Sequence, residues 1–304
     1  MINNQYDKQV ELLLRILPFI AKEKDIALHG GTAINLFYFD IPRLSVDIDL
    51  TFLPFSTRDK DLEQIVTILK RLRSQLLKTI SGINIKEPRA DEEEYKLFCS
   101  LNNTEIKIEV NTINRGIYQK ADILPLSSAA QERYNMFCEM PIVSLGQLFG
   151  GKIVAALDRQ HPRDLFDVKK MLDTYGYPPE INKGFIFSLL SSKRPIHEIL
   201  SPSFLNHEAT LNSQFSGMTK ETFTYDMYEN TRVQLVEIVK NNISSEIAEL
   251  IISFSEGRPK WSIFNFEEFP GIKWKLMNIK KLKEQNPEKH IRQMLELKKN
   301  LNSN

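Results

Sequence analysis

The seven residues Val46 to Phe52, VDIDLTF, constrain this chain more than any other stretch. Val46, Ile48, Leu50 and Phe52 alternate with Asp47, Asp49 and Thr51, the period of a half-buried strand, so both aspartates leave the same face. Two carboxylates two positions apart repel each other, and the apolar neighbours hold them in a sheet. A divalent cation relieves that repulsion, whereas an edge strand facing solvent simply tolerates it. Both readings stay open on these seven residues alone.

The flanking sequence adds partners. Ile26 to Leu28 reads as a short buried strand ending in Gly30 and Gly31, after which Thr32 is placed to cap a helix over 33–39. Strand, glycines and helix start in that order present backbone N–H groups to an anion such as phosphate, although Gly-Gly-Thr also serves as a plain tight turn. Arg43 has the reach for a phosphate, or pairs with Asp40 on the surface, and Ser45 shares the facing of Asp47 and Asp49. Downstream, EIKIEVNT alternates again. Its Glu109 either pairs with Lys107 or supplies the third carboxylate of a two-metal site. In the helix expected over Ser144 to Asp158, capped by Ser144, Lys152 falls amid an apolar stripe and must snorkel or find an anion. Gly150 and Gly151 just before it leave room for a ligand. The next helix, RDLFDVKKMLDTYG, ends at Gly176; Arg163 and Asp167 are spaced to pair along it, and Arg159 and Asp164 lie at its entrance.

Around these motifs the patterning predicts amphipathic helices over 5–24 and 57–80, and strands over 83–87 and 95–101 separated by the acidic turn Asp91 to Glu94. Tyr177, Pro178 and Pro179 set a domain boundary near 176, giving domains over 1–176 and 177–304. The second lacks strand alternation, and its helices are expected at 180–191, 195–200, 222–242, 244–256, 273–284 and 287–301, the last started by Asn286 and Pro287. Residues 272–299 are rich in lysine and, with Trp261, Phe264 and Trp274 nearby, read either as an RNA-backbone surface or as a solvated face with the tryptophans in the core. The whole chain of 304 residues holds 40 basic and 39 acidic side chains, so overall charge points to neither nucleic acid nor membrane. Cys99 and Cys138 lack CxxC spacing, and no run approaches the ~18 apolar residues of a membrane span. The expectation is a soluble cytoplasmic protein with no targeting segment.

Taken together, Gly30-Gly31-Thr32, R-x-S-x-D-x-D from Arg43 to Asp49, K-x-E-x-x-T with Lys107, Glu109 and Thr112, Ser144-Leu145 followed by Lys152, and R-x-x-x-R-D-x-x-D from Arg159 to Asp167 resemble the AbiEii/AbiGii family. Its members are nucleotidyltransferase-like toxins of type IV toxin–antitoxin and abortive-infection systems. The resemblance implies an α+β fold: a polymerase-β-like nucleotidyltransferase domain, a mixed sheet flanked by helices, followed by a mainly helical C-terminal domain. It implies two Mg²⁺ ions on Asp47, Asp49 and Glu109, with Lys152 completing the catalytic group. Nucleotide contacts would come from Gly30, Gly31, Thr32, Arg43, Ser45, Lys107, Thr112, Arg159, Arg163 and Asp164. Asp164 would touch ligand or orient Lys152, Asp167 would be structural, and Lys152→Ala would leave the fold intact. The implied reaction moves a nucleoside monophosphate from an NTP to an RNA 3′-hydroxyl, with the tRNA acceptor end as the expected target and a cognate antitoxin as partner. The alternatives are a protein or small-molecule acceptor, or a nucleotide-binding regulator without turnover, which a third carboxylate argues against.

Overall fold

A computed structural model describes residues 4–86 and 95–302, so the acidic turn Asp91 to Glu94 and the last residue of the strand expected over 83–87 lie outside the described residues. The chain divides into two compact units, Met1–Ser144 with Ser216–Thr222, and Leu145–Phe215 with Phe223–Asn304. The boundary expected near 176 thus falls inside the second unit.

In the first unit, α1 (Asn4–Ile20) buries Val10, Leu13, Leu14 and Leu17 at helical spacing. It stops four residues short of the expected end, two residues after Pro18, which has no N–H to continue the ladder. Then come β1 (Ile26–His29), α2 (Gly30–Ala33) running into a π-helical turn over Ile34–Tyr38, β2 (Asp47–Phe52) and α3 (Arg58–Thr79). β3 (Asn84–Lys86), β4 (Lys96–Leu101), β5 (Thr104–Asn111), β6 (Asp122–Pro125), α4 (Ser128–Tyr134) and β7 (Glu139–Ile142) complete it. Among the described residues the sheet has seven strands in the order β3-β4-β5-β2-β1-β7-β6. β2 lies parallel to β5 and antiparallel to β1, and β1 lies parallel to β7, which makes the sheet mixed. Ile48, Leu50 and Phe52 on β2 and Ile106, Ile108 and Val110 on β5 are all buried, with α1 packed against β5 and α3 against β3, β4 and α1. Asp47, Asp49, Lys107 and Glu109 alternate with these residues and remain half-buried on the other face.

Local patterning carries no signal for β6 and β7. Each has four residues, β6 is largely exposed, and β7 contains Pro141, so neither is long enough to display alternation. Equally hidden was the return of Ser216–Thr222, where the Met218 carbonyl accepts from Leu44 N at 2.7 Å and Thr219 Oγ1 donates to the Pro42 carbonyl at 2.6 Å.

The described elements of the second unit are all helices, joined by loops: α5 (Leu145–Arg159), α6 (Pro162–Tyr175), α7 (Pro179–Ser191), α8 (Ile196–Leu200), α9 (Glu208–Thr210) with a π-helical turn over Leu211–Phe215, α10 (Tyr225–Asn241), α11 (Ser245–Ser255), α12 (Pro270–Gln285) and α13 (Pro287–Asn302). Here α5 and α7 touch backbone to backbone. A Cβ on Gly150 would lie 2.0 Å from the Gly184 carbonyl carbon, and one on Gly184 would lie 1.7 Å from the Gly146 oxygen. The room expected at Gly150 for a ligand is therefore filled by a helix. No helix among the described residues is long and apolar enough to cross a membrane.

Candidate active site

Within the first unit the structure gathers Gly30, Gly31, Thr32, Arg43, Ser45, Asp47, Asp49, Lys107 and Glu109 around β2. Gly30 has φ +71°, and a Cβ there would fall 2.5 Å from Asp49 Oδ2. On Gly31 a Cβ would fall 2.8 Å from Ser45 Oγ and 2.9 Å from Arg43 Nη2. Gly30 is thus favoured by its backbone as well as by Asp49, whereas a side chain on Gly31 would have to displace the ends of Ser45 and Arg43. Helix α2 starts at Gly30 itself, so the helix begins earlier than expected and His29, not Thr32, occupies the N-cap position. Thr32 is instead in the first turn, 1% exposed, and its Oγ1 donates to the Asp47 carbonyl at 2.5 Å and lies 3.1 Å from Ser45 Oγ. That hydroxyl ties the glycine turn to β2 rather than offering itself to a phosphate; what the turn presents is the backbone N–H groups of the helix start.

Arg43 is 3% exposed, which rules out the surface arginine expected beside Asp40. Its Nη1 donates to the Leu44 carbonyl at 2.9 Å, while Asp40 Oδ1 accepts from Ala129 N at 2.7 Å. Arg43 is delivered by Ile41-Pro42, where Ile41 holds φ +53°, an uncommon conformation for a β-branched residue.

β5 sets the other side. The register pairs Asp47 with Lys107 and Asp49 with Glu109 across the parallel strands. Glu109 Oε2 accepts from Lys107 Nζ at 2.7 Å, and its Oε1 lies 3.4 Å from Lys96 Nζ on β4. Burial pushes the Lys107 ammonium toward the neutral form, but the hydrogen bond and charge of Glu109, with the charges of Asp47 and Asp49, outweigh it and hold the pKa above the ordinary lysine value. Burial likewise works against the Glu109 carboxylate, and Lys107 and then Lys96 outweigh it, so its pKa is lowered. The ion pair that competed with the metal reading of Glu109 is therefore present, and among the described residues no three His, Cys, Asp or Glu side chains converge as a metal-ligand group. The donor chemistry of Asp47 and Asp49 nonetheless fits a hard divalent ion: two carboxylates on one face of β2, with Asp49 against Gly30, where a side chain would collide with it. Thr112 is not gathered in. It lies beyond the end of β5, where its carbonyl accepts from Arg115, whose Nε donates to buried Asp61 at 2.8 Å.

A second charged cluster lies in the second unit. Lys152 Nζ is 3.0 Å from Asp164 Oδ1 and 3.1 Å from Asp167 Oδ2, with the lysine 8% exposed and the aspartates 2% and 0%. The anion that the apolar stripe demanded for Lys152 is thus two carboxylates of the next helix, and Asp167 faces Lys152. Arg159, 65% exposed, donates from Nε to Asp164 Oδ2 at 2.6 Å. Burial acts to raise the Asp164 pKa, but Lys152 and Arg159 hold its carboxyl well below the usual range. His161 caps α6 by accepting from Arg163 N at Nδ1, 3.1 Å away, and burial keeps its pKa low, which suits a neutral acceptor. Ser144 precedes α5 as expected of a cap, yet its buried Oγ makes no hydrogen bond.

Sequence reasoning passed over Lys96, because KLFCSL reads as an ordinary strand and only the sheet register sets it opposite Glu109. In the basic 272–299 segment, Lys275 is 5% exposed and donates to the Ser192 carbonyl, Ser192 Oγ and the Arg194 carbonyl; burial pushes its pKa down to about 7. Lys273 pairs with Glu268, Lys298 with Glu256, and Lys283 donates to the Glu256 carbonyl.

A mixed sheet with two aspartates on one strand face beside a glycine turn is the arrangement that the resemblance to nucleotidyltransferases implied. The sequence profile described as "Nucleotidyl transferase AbiEii toxin, Type IV TA system" matches residues 11–263, and the chain belongs to this family of nucleotidyltransferase toxins. Membership implies an NTP substrate and an antitoxin partner. No curated protein sequence matches significantly. Among solved structures the chain is similar to the nucleotidyltransferase toxin MenT4 of Mycobacterium tuberculosis, with a TM-score of 0.62, 11% identity, and coverage of 90% of this chain and 93% of that one, a likeness of fold. JHP933 of Helicobacter pylori gives a TM-score of 0.43 at 15% identity over 81% of this chain and 95% of its own.

Proposed function

We propose that this enzyme transfers a nucleoside monophosphate from an NTP to the 3′-hydroxyl of an RNA, with the tRNA acceptor end as the target, and so inhibits translation. The observation that supports the reading best is the pair Asp47 and Asp49 on one face of β2, with Asp49 packed against Gly30 at the start of the glycine turn. Asp47 and Asp49 are the residues that would hold Mg²⁺, with Glu109 joining once released from its lysines. When bound, such ions neutralise phosphate charge and acidify the acceptor hydroxyl.

The chain's own groups do the rest. Backbone N–H groups of the α2 start receive phosphate oxygens, and Arg43 and Lys107 offset the charge that collects on the departing pyrophosphate. Ser45, its Oγ beside Gly31, orients that turn and donates to the nearest oxygen. For Lys152, Arg159, Arg163 and Asp164 the reading is narrower. Lys152 is first the cation that lets two carboxylates be buried, Asp164 fixes it, and solvent-facing Arg159 with Arg163 is the part of that cluster suited to an anionic ligand.

A second reading, a protein or small-molecule acceptor, is favoured by one observation: the basic segment commits Lys273, Lys275, Lys283 and Lys298 to contacts within the chain, which weakens it as an RNA surface. Incubation with α-labelled nucleotides, Mg²⁺ and total RNA tests both. We expect label in tRNA with the native protein and at least ~10³-fold less with Asp49→Asn, whose melting temperature stays near native. Label on protein selects the second reading, and bound nucleotide with no label anywhere overturns both in favour of a regulator without turnover.

A further inference from the structure

The cross-strand row Lys96, Glu109, Asp49 runs over β4, β5 and β2 on one sheet face, because the registers pair Lys96 with Glu109 and Glu109 with Asp49. Glu109 could turn along this row toward Asp49 or away from it. It turns to the lysines: one oxygen takes Lys107 at 2.7 Å and the other lies 3.4 Å from Lys96, so both carboxylate oxygens are engaged by cations. Two ammonium groups beside three acids supply the positive charge that a divalent ion would otherwise bring.

We propose that Lys96 is a positioning residue that, with Lys107, holds Glu109 away from the metal-binding aspartates until an ion displaces it, and so sets how tightly the site takes a divalent cation. The inference rests on the reading of Asp47 and Asp49 as metal ligands. Both lysines pair with Glu109, but Lys107 also belongs to the nucleotide contacts, so Lys96 is the cleaner probe. The Lys96 and Glu109 side chains are 28% and 32% exposed, so their attraction is screened and its loss changes affinity modestly.

The test is Mn²⁺ titration of the intact chain by calorimetry, with no nucleotide present, for native protein, Lys96→Met, Glu109→Gln, the double variant and Asp49→Asn, each checked for native melting. We expect Lys96→Met to bind Mn²⁺ about two- to fivefold tighter than native, and the same substitution to change nothing in the Glu109→Gln background. An equal gain in both backgrounds would mean that Lys96 acts only as a distant positive charge, and it overturns the proposal, as does an unchanged or weaker affinity for Lys96→Met. Should Asp49→Asn bind Mn²⁺ as well as native protein, or native protein bind none, the metal reading of the aspartates fails instead.

Discussion

In the second unit one ammonium, that of Lys152, sits within 3.1 Å of both Asp164 and Asp167, and none of the three side chains is more than 8% exposed. In the first unit Asp47 and Asp49 remain half-buried side by side, and the lysines beside them are bonded to Glu109. In the second cluster Lys152 and both aspartates are buried together; the first keeps its carboxylates and lysines on a half-buried sheet face beside a glycine turn. A carboxylate buried with its counter-ion depends on it for folding, because removing one partner leaves the other uncompensated. A carboxylate held next to another at a half-open face is better suited to a ligand. The family motifs cover both clusters, yet the burial of each assigns it a different first duty.

The sharpest way to break this contrast is Lys152→Ala. With two buried carboxylates left behind, we expect urea denaturation of the intact chain to show a loss of about 3–5 kcal/mol, the reverse of a variant that keeps its fold. A loss below ~1 kcal/mol would place Lys152 with the ligand-facing groups instead. Next in size is Gly150→Ala, whose new Cβ lies 2.0 Å from a backbone carbon of α7 that cannot rotate away. Overpacking of this kind costs about 1–3 kcal/mol or more, outweighing the ~1 kcal/mol that alanine gains over glycine in a helix, so thermal melting should fall; a rise would show that α5 and α7 have slack between them. The smallest effect is in acid. Because the folded pKa of Asp164 is lowered, its contribution is full above the ordinary value of about 4 and is lost as pH falls toward the folded value. Unfolding free energy measured from pH 5 down to pH 2.5 should therefore drop more steeply in native protein than in Asp164→Asn, by at most ~1.4 kcal/mol per pH unit. Equal slopes would assign the acid sensitivity to other carboxylates.

Much of the first cluster was legible because strand alternation is a local property. Asp47 and Asp49, and Lys107 and Glu109, share facings by period two, and the mixed sheet with a helical C-terminal region is the fold that the motifs implied. Boundaries and partners were less legible because they depend on distant chain. The division after Ser144 follows from the packing of α5 on α7, and the return of Ser216–Thr222 to the Pro42–Leu44 segment has no local signal at all.

By itself, then, the sequence determined that two aspartates would share a strand face one short helix after a glycine pair, and that a lysine in an apolar stripe would need an anion, since side-chain periodicity and the cost of burying charge are properties of a segment. Tertiary structure alone decided which groups answer those needs. It closed Gly150 against Gly184, gave Lys152 both Asp164 and Asp167, tied the Thr32 hydroxyl to the Asp47 carbonyl, and brought Lys96 across to Glu109. Each is a contact set by the register of strands or the crossing of helices, which no single segment encodes.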